Sequence, residues 1–148
     1  MPHVEQLRVL AEMIGDVDCS AIHDLFEAEY AVVTGQLLPQ MELFETTLYG
    51  RLEQLMGGRH SMAPMREEHR AMRALIEELG RYRRHVEGCR LTGVEALALR
   101  RALYRLYALL KVHIAEEDLY LGVLDQRLSA EQKDELARGL EHAMAQPL

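Results

Sequence analysis

Apolar residues recur along this chain at alternating intervals of three and four, which is the spacing of one face of an α-helix. In the clearest run, Met65, His69, Met72, Ile76 and Leu79 follow one another at intervals of 4, 3, 4 and 3 residues. Residues that favour strands are sparse, whereas Leu, Ala, Glu, Arg and Met are abundant. The sequence therefore predicts an all-α fold.

The helical pattern covers five stretches of the chain. They are predicted at residues 3–14, 21–56, from 64 onward, 93–125 and 129–144. Pro39 lacks a backbone donor and is expected to kink or divide the second stretch. Ser20 and Thr92 are candidate N-caps, and Ser129 opens the segment SAEQ, which has the form of a capping box.

Short connections between the first four helices argue for an antiparallel, up-and-down four-helix bundle. We expect this bundle to cover residues 3–128 and a short C-terminal helix to cover 129–144. A length of 148 residues suits one domain with its own core, so the domain is predicted to be residues 1–148.

Charge and hydropathy limit the partners and the location of the chain. A net charge of -7 at pH 7 should repel nucleic acid and anionic membranes. No apolar run approaches the roughly 18 residues that span a bilayer, and the N-terminus lacks the pattern of a signal peptide. We therefore expect a cytoplasmic protein.

Cys19 and Cys89 are far apart and match no CxxC pattern, so both are expected to be reduced thiols.

Three histidines occupy inward positions on three different predicted helices. They are His3, His69 and His113. A single histidine on an apolar face is more often an ordinary core residue than a ligand. Three of them in one bundle suggest a metal, because a buried imidazole needs partners for both ring nitrogens and a metal supplies one.

The stretch KVHIAEEDLY, residues 111–120, adds carboxylates to this set. His113 and Glu117 are one helical turn apart, so both can reach the same point inside the bundle. Asp118 follows Glu117 directly, and its carboxylate could bridge within such a site or support it from the next position. The simpler interpretation is a helix-surface pair, but an unpaired carboxylate on an apolar stripe is costly, so a cation or a proton should accompany it.

The motifs LLPQMELFETTLYGRL, MAPMREEHRAM and LYALLKVHIAEEDLYLGVLD, with the histidine on the first helix, resemble the hemerythrin-like, HHE cation-binding family over residues 3–128. The resemblance implies a four-helix bundle that holds non-heme iron, in the complete form two iron ions, through histidines of all four helices and two carboxylates. It implies His3, His69, and His113 with Glu117 as ligands. It also implies a small oxidant as partner: dioxygen, peroxide or nitric oxide.

The second helix departs from the family pattern of a histidine followed one turn later by glutamate. Gln40 stands at the histidine position and Phe44 at the glutamate position. If the register moves by one, Met41 and Glu45 take the two positions, and the histidine is still missing. On the third helix Met65 stands where fuller ligand sets have another histidine.

A second HxxxE pair, His23 with Glu27, precedes Gln40 by about four and a half turns, roughly 25 Å along a helix. We therefore expect it to be an exposed or boundary pair without a role in the site.

Three outcomes remain open at this point. The candidate ligands are His3, Glu45, His69, His113, Glu117 and Asp118. One outcome is a diiron site completed by Glu45, Gln40 or water. Another is a single metal held by the two core histidines, Glu117 and, as an option, His3. The last is a bundle without metal that acts as an interaction or regulatory module, which the apolar Phe44 favours.

No phosphate-binding loop or nucleophile motif is present in the sequence. A metal- and oxygen-binding protein is therefore expected rather than an enzyme of another class. A homodimer is left open.

Overall fold

The computed structural model describes residues 2–16, 18–59 and 61–145, and the side chains as far as residue 142. In these ranges the ordered elements are helices, and none is a strand. The α-helices are α1 Pro2–Met13, α2 Cys19–Val32, α3 Leu38–Leu43, α4 Tyr49–Leu55, α5 Ala63–Glu87, α6 Gly93–Arg127 and α7 Ala130–Ala145. The predicted all-α class is thus confirmed.

Two π-helical turns join α2, α3 and α4 into one continuous rod. They are Val33–Leu37 and Phe44–Leu48. In the first, the backbone N–H of Leu38 donates to the carbonyl of Val33, five residues back. Pro39 follows this turn in the first turn of α3. The predicted interruption at the proline therefore takes the form of a wide helical turn, a feature that is frequent at functional sites.

The helix caps agree with the sequence at two of three positions. Thr92 and Ser129 each accept from the N–H three residues on and form a reciprocal capping box. The prediction for Ser20 is wrong, because Asp18 is the N-cap of α2 and accepts from the Ser20 N–H. An Asp at this position satisfies an open donor of the first turn equally well.

Four helices form a ring around the core. The helix α1 packs against α2 and α6, and α5 packs against the same two neighbours. Their apolar stripes build a large buried cluster whose most enclosed members are Leu7, Leu10, Phe26, Met72, Leu99, Leu103 and Leu106. A second cluster lies between α4, α5 and α6 and contains Tyr49, Leu52, Met62, Met65 and Leu124. The two clusters leave a layer between them that is polar.

A disulfide joins Cys19, the first residue of α2, to Cys89 in the turn between α5 and α6. The prediction of two reduced thiols is wrong, because folding brings the two Cα atoms to 5.9 Å although 70 positions separate them in sequence. Such a distance lies in the usual range for a disulfide.

None of the helices in the described part of the chain combines the length and the apolarity that a bilayer crossing requires.

Candidate metal centre

Two imidazoles and a carboxylate converge in the polar layer between the apolar clusters. His69 of α5 and His113 of α6 are buried, and their Nε2 atoms lie 2.9 Å apart. Glu117, one turn beyond His113, brings its Oε1 to 2.9 Å from the His113 Nε2. The ligand atoms of the three residues all lie within 4.8 Å of one another.

These distances fit adjacent positions around a single metal ion. Ligand atoms about 2.1 Å from a metal and at right angles to each other lie about 3 Å apart. Both measured separations of 2.9 Å agree with this value. Two histidines and one carboxylate with open positions are the donor set of many non-heme Fe(II) sites. The donors present therefore fit one ion of this kind.

Each histidine is oriented by a carboxylate behind its other ring nitrogen. The Nδ1 of His69 lies 2.7 Å from Glu45 Oε1, and the Nδ1 of His113 lies 2.6 Å from Glu68 Oε2. Arg73 donates two hydrogen bonds of 3.0 Å to the Glu45 carboxylate and fixes it in place. Such partners fix the tautomer and the ring orientation of metal-binding histidines and raise their basicity.

The electrostatics differ between the two imidazoles. Burial lowers the pKa of His69 and outweighs the opposing hydrogen bond to Glu45. Burial also disfavours charge on His113, but its hydrogen bonds to Glu117 and Glu68 prevail and raise the pKa. Burial raises the pKa of the Glu45 carboxyl, yet Arg73 and His69 together bring it below its usual value. The layer thus combines a His69 imidazole that resists protonation with a Glu45 carboxylate held in its charged form, whereas His113 takes up a proton more readily than a free imidazole.

A buried phenol completes the layer. The Tyr49 hydroxyl lies 3.0 Å from the His69 Nε2 and donates to Glu117 Oε1 at 3.4 Å. Burial, and then the nearby Glu117 carboxylate, raise the pKa of Tyr49 far above its ordinary value, so the phenol keeps its proton. Sequence reasoning missed this residue, although it follows Glu45 at a helical spacing of four.

The other three predicted ligands are not part of this converging group. Asp118 is exposed. His3 is also exposed, with 54% of its side chain accessible, and its Nδ1 contacts Glu29 Oε1 at 3.3 Å. Glu45 lies behind His69, on the Nδ1 side, and not beside the converging Nε2 atoms. The structure therefore brings together three of the six candidates at one point, with Glu45 supporting them.

Of the two registers considered for the second predicted helix, the one with Met41 and Glu45 faces the interior of the bundle. Met41 is buried and Glu45 is half-buried, whereas Gln40 is exposed. Phe44 packs against the second apolar cluster. His23 is half-buried and contacts the neighbouring Asp24, as expected for a pair at the boundary of the bundle.

A helical bundle with such a group in its interior belongs to the class of helical cation-binding domains. The family model of the hemerythrin HHE cation binding domain matches residues 3–124. The chain belongs to this family, and the resemblance seen in the sequence is confirmed. No curated protein and no solved structure matches the chain.

Proposed function

We propose that this protein binds one non-heme iron ion through His69, His113 and Glu117 and that a small oxidant meets the ion there. The convergence of these three ligand atoms within 4.8 Å carries the proposal. Ferrous iron on two histidines and one carboxylate keeps positions open for dioxygen, peroxide or nitric oxide. Glu45 and Glu68 hold the imidazoles in their orientation, and the Tyr49 hydroxyl supplies a hydrogen-bond donor beside them.

One ion is favoured over two because the second-helix donors are missing. Phe44 packs into an apolar cluster, Gln40 is exposed, and Met65 is buried in the same cluster as Phe44. His3, the remaining imidazole of the family pattern, contacts Glu29 instead. A diiron site would need further donors, and the group of converging ligand atoms in the described residues consists of His69, His113 and Glu117.

The ring of four packed helices supports the antiparallel up-and-down bundle, with α7 as the short additional helix.

The cytoplasmic location stays a prediction. The disulfide between Cys19 and Cys89 argues against a reducing compartment, because disulfides are rare in one.

A bundle without metal that acts through its surface is the second candidate function. Its specific support is the pair Val112 and Leu119, which are 54% and 74% exposed and lie seven residues apart, two turns along the same side of α6. A partner helix or a second copy of the chain could cover such a stripe.

Metal analysis tests the proposal directly. Protein purified without a histidine tag is reconstituted anaerobically with ferrous iron, and the metal is counted by mass spectrometry. We expect one iron per chain. Two irons with the near-ultraviolet bands of an oxo bridge would replace the proposal with the diiron site. Absence of bound metal would favour the interaction module.

Removing the charge behind His69 should weaken metal binding. We expect Glu45→Gln to lower the affinity by about 10- to 100-fold, as loss of such supporting partners commonly does. The matched control is Glu27→Gln, which breaks the two hydrogen bonds that Arg83 donates to Glu27, about four turns along α5 from His69. Affinity is measured by competition with a chromophoric chelator. An equal, small change in both variants would show that Glu45 does not support the site.

A further inference from the structure

A cavity of about 230 Å³ lies between α1, the α2–α3 rod and α6. His3 and Glu29 line it together with His113 and Glu117. Most of the remaining wall is apolar and includes Leu7, Val33, Met41 and Leu110 among its residues. The first π-helical turn contributes several of its residues to this wall.

The cavity is too large for a diatomic ligand alone. One water occupies about 30 Å³ of liquid, and an apolar cavity of about 150 Å³ holds a benzene molecule. A volume of about 230 Å³ therefore accommodates an organic molecule of roughly six carbon atoms.

Glu29 gives the cavity its chemical preference. Only 4% of this residue is accessible, and its Oε2 has no hydrogen-bond partner among the described residues. Within the described ranges, the contact of its other oxygen is the ring of the exposed His3, at 3.3 Å. A buried carboxylate with an unsatisfied oxygen is costly and becomes stable when a cationic donor reaches it.

The surroundings of Glu29 favour an organic cation over a metal. A metal ion requires at least three or four converging donor atoms, and the group of such atoms in the described residues, His69, His113 and Glu117, includes neither Glu29 nor His3. A primary ammonium carries three donors on one small group, and an alkyl chain suits the apolar wall.

We propose that this cavity binds a small alkyl amine, with its ammonium on the Glu29 carboxylate and its chain along the apolar wall toward His113 and Glu117. The ligand class deepens the proposed function, because the bound chain would end beside the residues that hold the iron. Binding to Glu29 itself requires no metal. The two proposals therefore fail independently.

Isothermal titration of metal-free protein with three probes of equal length tests the proposal. They are n-hexylamine, which is protonated at pH 7, 1-hexanol and hexanoate. We expect hexylamine to bind at least about tenfold more tightly than hexanol, because a hydrogen bond between charged groups exceeds a neutral one by this order. Hexanoate should not bind, because its carboxylate would meet Glu29.

Two variants separate recognition from folding. Glu29→Gln keeps the shape and should remove the preference for the amine while hexanol still binds. Val32→Trp should fill the cavity and abolish both. Circular dichroism verifies that each variant is folded. Equal affinity for amine and alcohol, or no binding of hexylamine to the wild-type protein, would overturn the proposal. Iron uptake by the same samples reports separately on the metal site.

Discussion

Replacing His113 by alanine should release most of the bound metal, whereas replacing His23 should leave the metal content unchanged. His113 provides one of three converging ligand atoms, and its loss leaves an incomplete set. Loss of a partner behind a ligand already costs about 10- to 100-fold in affinity, so loss of the ligand itself should exceed that range. The measurement is metal per chain after gel filtration, together with a chelator competition.

His23 is a sharp control because it also begins an HxxxE pair on a helix of the same bundle. Its partner Glu27 accepts two hydrogen bonds from Arg83 and is thus committed elsewhere. Because His113→Ala also removes a partner from Glu68, thermal unfolding is recorded in parallel, and His69→Ala provides a second route to the same loss. Equal metal loss in the His113 and His23 variants would show that the ligand assignment is wrong.

Breaking the disulfide should destabilise the fold by about 4 kcal/mol in the free energy of unfolding. The bond closes a loop of 70 residues, and the chain-entropy model gives a stabilisation of this order for such a loop. For a chain of this length, the loss corresponds to a fall of roughly 10 °C in the melting temperature. Circular dichroism of the oxidised protein with and without dithiothreitol measures the difference.

The double variant Cys19→Ser with Cys89→Ser is the control for the reductant. It should melt near the temperature of the reduced wild-type protein and should not respond to dithiothreitol. If reduction leaves the wild-type melting temperature unchanged, the two cysteines do not form a stabilising bond in solution.

Much of the fold was predictable because the apolar spacing is local information. The inward positions of His69 and His113 followed from the same spacing, and Glu117 followed from its place one turn after His113. The pairing of Glu68 with His113 depends on how α5 lies against α6, and no spacing within one helix contains that relation.

The second helix shows a different limit of the sequence. Its π-helical turns shift the residues that follow around the helix axis, so a period of 3.6 does not say which side faces inward. Both registers, Gln40 with Phe44 and Met41 with Glu45, therefore remained open from the sequence. The cysteine pair was hidden for a related reason, because residues 19 and 89 meet only when two separate turns gather at one end of the bundle.

The polar layer lies between two blocks of apolar core, so a metal bound there would also be a structural part of the bundle. A metal that binds the folded chain, and not the unfolded one, adds its binding free energy to the stability of the fold, about 4 kcal/mol at a free concentration a thousandfold above the dissociation constant. The lifetime of the folded chain would then follow the supply of metal in its surroundings. Scarcity of the ion would lower the amount of folded protein before it changed the chemistry at the site.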